Sequence, residues 1–352
     1  HVNLDRKDSI FYFTTCGWMM WNWLVSSLAV GSTIVLYDGS PFYPNPSSLW
    51  ELAEDLNITI FGTSAKFIAA CQEAGVRPIE NQDLNKMNSI LSTGSPLVEE
   101  NFDYIYNDVK NDVMLSSISG GTDLISCFAL GNPMLPVYRG EIQCRGLGMA
   151  VESFDLNGEY HLNQKGELVC KIAFPSMPIY FWNDEKGEKY YQAYFSTYPN
   201  IWHHGDYILI NNHGGIVIYG RSDATLNPGG IRIGTAEIYR VVDKFSEISD
   251  SLVVGQEWDE DERIILFIIL SSNKMLTNEL INKIKLTIKK SCSPRHVPAK
   301  IIAIDDIPYT ISGKKVEIAV KKIINGEKVK NKDALANPQS LKLYRDIKEL
   351  QK

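Results

Sequence analysis

The sequence predicts an α/β protein. Its large domain has a mostly parallel sheet flanked by helices, with a small antiparallel β region beside it, and a smaller α+β domain follows. Three observations carry this. From Ser9 to Ser117 short apolar runs alternate with helical patterns, and the runs end at small polar loops, as in a parallel sheet covered by helices. After Gly131 the texture becomes short strands among Gly and Pro, which reads as antiparallel β. Beyond Arg232 helices and strands alternate again on a smaller scale. The expected divisions are 1–222, 223–335 and a C-terminal extension, 336–352.

Taken in order, Ser9 to Tyr37 contains no charged residue and is long enough to span a bilayer. Thr14, Thr15, Gly17, Asn22, Ser26, Ser27, Gly31, Ser32 and Thr33 interrupt it, and no Lys or Arg cluster flanks it. We read it as a strand over Ile10–Thr14, a turn at Gly17, a helix over Trp21–Val30 and a strand over Thr33–Tyr37. Helices are expected over Ser48–Leu56, Ala65–Ala74 and Val98–Val109, and strands over Ile58–Gly62, Ile90–Ser92 and Val113–Ser117. The loops Gly62-Thr63-Ser64, Gly94-Ser95-Pro96 and Ser119–Asp123 lie where ligands gather in such sheets, beyond the carboxyl ends of strands. Gly140–Cys144 and Gly166–Cys170 read as short strands, and Tyr190–Tyr198 as an aromatic stretch. In the smaller domain Thr235 is expected to cap a helix through Phe245. Strands are expected over Ser251–Gly255, Arg263–Leu270 and Lys300–Ile304, and helices over Thr277–Lys290 and Val316–Ile324. The Lys-rich stretch after Lys321 reads as a solvated surface.

The totals exclude several classes. With 352 residues, 44% hydrophobic and 22% charged, the chain is globular in composition. A formal charge of -7 argues against general nucleic-acid binding. The six Cys, at 16, 71, 127, 144, 170 and 292, form no C-x-x-C pair, so they read as reduced thiols and indicate neither a zinc site nor a redox motif. No signal peptide is visible, and a cytoplasmic (cytosolic) protein without integral membrane contact is expected. The chain starts at His1, which reads as a fragment or processed chain.

The densest chemistry lies between His203 and Gly234, where Gly, Asp and Arg concentrate. Asp206 follows Gly205 before a β run and could hold two vicinal hydroxyls; it could equally be a turn Asp. Arg221 and Arg232 flank a Gly-rich turn at Gly229-Gly230, and Arg forks suit phosphate or ribose oxygens. Asp123 ends a Gly-Gly-Thr run and could meet a metal through water or serve as an Asx turn. Lys314 follows Ser312-Gly313 without the full phosphate-loop spacing. His203, His204 and His213 form no metal-ligand pattern, and His296 between Pro294 and Pro298 reads as structural.

The order of these signals resembles that of the adenylate-forming acyl-CoA synthetases. The likeness rests on Phe13–Trp23, Ser116–Asp123, Phe128–Pro133, Pro136–Cys144, Tyr219–Arg240 and Ser293–Ile301, and covers nearly the whole chain. It implies an acid–thiol ligase that makes an acyl-adenylate from a carboxylate and ATP with Mg²⁺, then passes the acyl group to CoA. It further implies that 1–222 is the later part of an adenylation domain and 223–335 a mobile C-terminal domain, the phosphate-binding loop lying before position 1.

Carried over residue by residue, Gly94, Ser95, Pro96, Ser117, Ile118 and Ser119 would frame adenine. Asp206 would take the ribose hydroxyls, with Arg221 supporting ribose and phosphate. Thr122 would touch the α-phosphate, Asp123 would help hold Mg²⁺, and Arg232 would face the phosphates. Lys314 would bridge the carboxylate and the α-phosphate, Asp223 would be the hinge, and Gly230 would line the CoA path. Lys289, Lys290 and Arg295 would meet CoA phosphates. Trp18, Met19, Met20 and Gly120 would wall the acyl pocket; acetate-using relatives have Trp where Gly120 stands, which implies room for a longer acid, acetoacetate. Tyr309 stands where relatives often have a basic residue. The resemblance thus implies small-molecule substrates: ATP, CoA and acetoacetate. A ligase for another short acid such as butyrate, or a non-catalytic nucleotide-binding protein on the same fold, are the alternatives. Without the preceding sequence, this stretch is expected to bind ATP poorly and turn over little.

Overall fold

The computed structural model describes residues 1–259, 261–311, 313–329 and 335–351, so Ser312 of the lysine loop lies outside the described residues. They form two compact units. The first comprises 1–204 and 208–218, the second 205–207 and 219–352.

Unit 1 is built on a five-stranded parallel sheet, β1 (Ser9–Tyr12), β2 (Thr33–Val35), β3 (Ile60–Ser64), β4 (Ser89–Thr93) and β5 (Met114–Ser117), in the order β2-β1-β3-β4-β5. Side chains alternate across its faces with the period-2 pleat. Phe11, Phe61, Ile90 and Leu115 belong to a core that also takes Trp50 of α2 (Ser48–Asp55), Phe67 of α3 (Ala65–Glu73) and Phe102. Ile10, Tyr12, Ile60 and Leu91 belong to the other, with Met19, Met20 and Leu24 of α1 (Met19–Ser26). Both faces are covered, which is why these strands read as apolar runs. α1 starts two residues before the expected helix and hands over to a 3₁₀ turn, Ser27–Val30. Trp18, Trp21 and Trp23 are half-buried against this core. No helix among the described residues is long and apolar enough to cross a membrane.

Two expected loops are something else. Gly62-Thr63-Ser64 completes β3, paired with Leu91-Ser92-Thr93, and the Ser64 hydroxyl caps α3 by accepting from the Phe67 N–H at 3.2 Å. Ser119–Gly121 forms β6, antiparallel to β7 (Ser126–Leu130), so only Thr122 and the residues up to Ile125 turn. The expected helix over Val98–Val109 is α-helical over Glu99–Tyr104 and π-helical over Ile105–Val109, closed by Lys110 N–H onto the Ile105 carbonyl. The strand expected over Gly140–Cys144 shrinks to β8 (Cys144–Arg145) and a single bridge, Ile142 to Ile216.

The antiparallel region runs β9 (Val151–Phe154), β10 (Lys165–Cys170), β11 (Trp202–Ile210) and β12 (Ile216–Arg221), in the order β12-β11-β10-β9. Leu168, Trp202, Ile208 and Ile216 pack with Phe128 and Leu124. The aromatic stretch at 190–198 contains a helix that sequence reasoning missed, Glu188–Tyr194.

Unit 2 carries a three-stranded sheet in the order β13 (Ile248–Trp258), β14 (Asp261–Leu270) and β15 (Lys300–Ala303). Alternation again divides its side chains. Val253, Ile264, Leu266 and Ile268 pack with Ile238 and Val242 of the helix Thr235–Val242 and with Leu280, Ile284 and Ile288 of the helix Asn278–Ser291. Leu252, Val254, Ile265 and Phe267 pack with Ala319 and Val320 of the helix Glu317–Ile324 and with Leu341, Tyr344 and Leu350. The cap of the first helix is Gly234 rather than Thr235; Glu237 reaches back to accept from the Gly234 N–H at 2.9 Å. Lys321 is half-buried on Glu262 at 2.7 Å, while Lys322 and Lys328 after it are exposed, as expected.

Candidate functional site

In unit 1 the parallel strands deliver their polar ends close together. The Ile118 N–H donates to the Ser92 carbonyl at 2.9 Å, and the Thr93 hydroxyl to the Ile118 carbonyl at 3.0 Å. This ties the chain entering Gly94-Ser95-Pro96 to the Ser117-Ile118-Ser119 crossover. Gly94 has φ +93°, a conformation open to glycine. Ser95 is exposed, while Ser117 and Ile118 are buried.

Thr122 and Asp123 sit exposed at the tip of the β6–β7 hairpin. The hairpin is backed by His204, whose Nε2 lies 3.3 Å from the Gly120 carbonyl oxygen and whose ring meets Phe128 edge-on at 4.8 Å. A Cβ at Gly121 would lie 2.9 Å from that imidazole. A Cβ at Gly120 would lie 2.2 Å from the Ser126 carbonyl oxygen, so this glycine is required by the close approach of the two strands. In this backbone the expected extra room is not at its α-carbon. Tyr194 donates its hydroxyl to Asp123 Oδ2 at 2.5 Å and stacks on Trp202 at 3.6 Å. Sequence reasoning did not single out Tyr194, although Tyr190 and Tyr194 stand at helical i, i+4 spacing.

The residues expected at the acyl end are placed differently from one another. Met19 and Met20 are buried, at 6% and 4% exposure. A cleft of about 290 Å³ is lined by Met19, Trp23, Ser126, Cys127, Leu130 and Leu147 among others, but not by Trp18, Met20 or Gly120. Trp18 instead meets Tyr12 edge-on at 6.2 Å. Burial pushes the Cys71 thiol up to about 11 and the Cys127 thiol up to about 12, so neither is a ready thiolate. His203 pairs with buried Glu167 at 2.9 Å and His213 with Glu141 at 2.8 Å. Asp155, Glu159 and His161 converge elsewhere in the unit and do not include Asp123.

In unit 2 the structure gathers residues far apart in sequence. Asp206, on β11, keeps 13% of its side chain exposed. Arg221, at the end of β12, places Nη1 3.3 Å from Asp206 Oδ1 and Nε 3.4 Å from Asp223 Oδ1. Gly205, at φ +80°, makes this possible: a Cβ there would lie 2.7 Å from Arg221 Nη2. Burial works to lower the Arg221 pKa, but Asp206 and Asp223 outweigh it and raise the value. Lys314 is an exposed residue, yet desolvation still lowers its pKa; Asp206 opposes that shift and Arg221 reinforces it. Lys314 therefore lies within the field of Asp206 and Arg221. Arg232 lies over the Tyr207 ring at 5.7 Å.

Residues 226 to 233 form a hairpin closed by mutual Leu226 and Ile233 hydrogen bonds. Gly229 donates its N–H to both oxygens of Asp261, at 2.9 and 3.0 Å. Gly230, at φ +76°, faces open space where a Cβ would be. Tyr309 donates its hydroxyl to Asp250 at 2.6 Å, and His296 bonds Ser293 at 2.8 Å, the structural role expected of it.

No family model matches the chain. It is 54% identical over 350 residues to the acetoacetyl-coenzyme A synthetase of Rhizobium meliloti (strain 1021), covering 99% of this chain and 54% of that protein. The solved acetoacetyl-CoA synthetase from Streptomyces lividans superposes with a TM-score of 0.93 at 42% identity, covering 100% of this chain and 55% of that one. An anthranilate CoA ligase shares the fold, with a TM-score of 0.73 at 20% identity over 89% of this chain and 58% of its own. The chain spans about half the length of the relatives it matches. Along its whole length this chain is similar to acetoacetyl-CoA synthetases, and its fold is that of the acyl-CoA ligases that form adenylates.

Proposed function

We propose that this chain serves an AMP-forming acetoacetate–CoA ligase: ATP and acetoacetate give acetoacetyl-adenylate and pyrophosphate, and CoA then takes the acyl group and releases AMP. The observation that carries the reading is the grouping of Asp206, Arg221 and Lys314 within unit 2, in a chain 54% identical to acetoacetyl-CoA synthetases. A carboxylate with an adjacent guanidinium suits a ribose and its phosphate, and a lysine ammonium on an exposed stem suits two anions that must meet at phosphorus.

In unit 2, Asp206 would accept from the ribose hydroxyls, Arg221 would hold that carboxylate and face phosphate, and Arg232 would add charge. Gly230, open on its Cβ side, would allow the pantetheine arm close to the backbone. Asp223 would be the hinge. In unit 1, Gly94, Ser95, Pro96, Ser117, Ile118 and Ser119 would frame adenine, and Thr122 would donate to the α-phosphate. Trp18, Met19, Met20 and Gly120 would shape the acyl end. Asp123 fits Mg²⁺ as a hard oxygen donor at an exposed turn, one oxygen oriented by Tyr194. When bound, the ion would neutralise phosphate charge. A cytosolic location fits this chemistry.

The test is acid-dependent exchange of pyrophosphate into ATP, measured on the full natural chain that contains this sequence. Acetoacetate should support exchange better than butyrate or acetate. Preference for butyrate would overturn the substrate assignment. No exchange with any acid in a folded sample would favour a non-catalytic nucleotide-binding role.

A further inference from the structure

We infer that the C-terminal segment from Leu335 to Leu350 positions the hairpin that carries Lys314, with Asn337 as the positioning residue; this rests on the reading of Lys314 as the adenylate-forming lysine. The hairpin is short. Tyr309 bridges Lys315, the Thr310 N–H donates to the Lys314 carbonyl at 2.8 Å, and the Lys314 N–H donates to the Thr310 hydroxyl at 3.0 Å. A two-stranded hairpin of this size is marginal by itself.

The C-terminal segment adds a bridge to the hairpin's first arm. Leu335 bridges Thr310, and the Ala336 N–H donates to the Tyr309 carbonyl at 2.9 Å. Asn337 then closes the arrangement with its whole side-chain amide. Its Oδ1 accepts from the Tyr309 N–H at 2.9 Å, and its Nδ2 donates to Asp306 Oδ2 at 2.8 Å and to the Ile307 carbonyl at 2.9 Å. The partners fix the amide's orientation: an N–H faces the oxygen, and a carboxylate and a carbonyl face the nitrogen. One side chain thus ties the approach to the hairpin, 306–307, to its first arm at 309.

The segment is itself anchored. Tyr344 is 1% exposed, meets Phe267 edge-on at 4.9 Å and donates its hydroxyl to the Asp306 carbonyl at 3.0 Å. The Leu350 carbonyl accepts from Gln256 at 3.2 Å and Arg263 at 2.7 Å. The hairpin is also pinned to β13 through Tyr309 and Lys315 on Asp250. Fixed on both sides, it presents Lys314 from a rigid base, and an ångström of misplacement at a reacting group is costly.

The test compares wild type with Asn337→Ala, and with Tyr344→Phe, which removes a single hydroxyl, as the milder variant. In Asn337→Ala, amide hydrogen exchange across 309–315 should accelerate about tenfold or more while β13 and β14 keep wild-type rates. The turnover of acid-dependent pyrophosphate exchange should fall between about tenfold and a hundredfold, with KM for ATP nearly unchanged. Thioester formation from supplied acyl-adenylate should persist. Tyr344→Phe should show the same pattern more weakly. Unchanged exchange at 309–315, an equal rise in the sheet, or equal loss of both half-reactions would overturn the inference. Absence of acid-dependent exchange in wild type would instead refute the ligase reading, and hydrogen exchange would then decide the positioning role alone.

Discussion

Lys314 is where residue chemistry is most exposed to test. Lys314→Ala should lower adenylate formation by about 10²–10³, the loss typical of a removed transition-state charge contact, while thioester formation from supplied adenylate survives. Pyrophosphate exchange and single-turnover acyl transfer check the two halves. Desolvation lowers the Lys314 pKa, so its cation is lost at lower pH than in an ordinary lysine. Adenylate formation should therefore fall as pH rises through that lowered value. Asp206 raises the lysine's pKa and Arg221 lowers it. Asp206→Asn should move the alkaline limb to lower pH, and Arg221→Gln should move it higher, whatever either change does to the rate itself. A limb that stays in place in both variants would mean the rate does not follow Lys314. Gly120→Ala should destabilise by about 1–3 kcal/mol, because its Cβ has no room beside the Ser126 carbonyl; urea unfolding measures it. The charged candidates were legible because Asp, Arg and Lys among glycines stand out in a sequence. Tyr194 was not, since its role comes from a hydroxyl reaching 71 residues away to Asp123.

At the scale of elements, local physics was readable wherever one face is apolar at a regular period. The helix Asn278–Ser291 shows it: Leu280, Ile284 and Ile288 line one face, and the Thr277 hydroxyl accepts from the Leu280 N–H at 3.2 Å. Thr277→Ala should cost about 1 kcal/mol of stability, measured by urea unfolding. Reading failed where partners rather than period decide. Ser119-Gly120-Gly121 has the composition of a loop, yet it is a strand because Ser126–Leu130 lies against it. The helix Glu188–Tyr194 was hidden because none of its residues is fully buried, and its contact with the core is a short aromatic pair, Tyr190 and Tyr194, against Trp202.

For the whole molecule, the two compact units each carry their own cores, and the chain passes between them along β11 and β12. Asp223 follows closely on the last passage. If this is the joint, Asp223→Pro should spare adenylate formation and cut thioester formation by on the order of tenfold or more, because proline removes rotation about φ. Equal slowing of both half-reactions would refute it.

The sequence by itself determined the α/β class, the order of the elements and the residue types available for chemistry. These follow from periodicity and side-chain identity, which act over a few neighbours. Only the tertiary structure decided which of those residues meet. Asp206 and Arg221 come together because Gly205 leaves room for the guanidinium, Lys314 enters their field from nearly a hundred residues on, and Asn337 reaches back to Tyr309. Such meetings depend on strand register and on the closure of long loops, and neither is written in any local stretch of the chain.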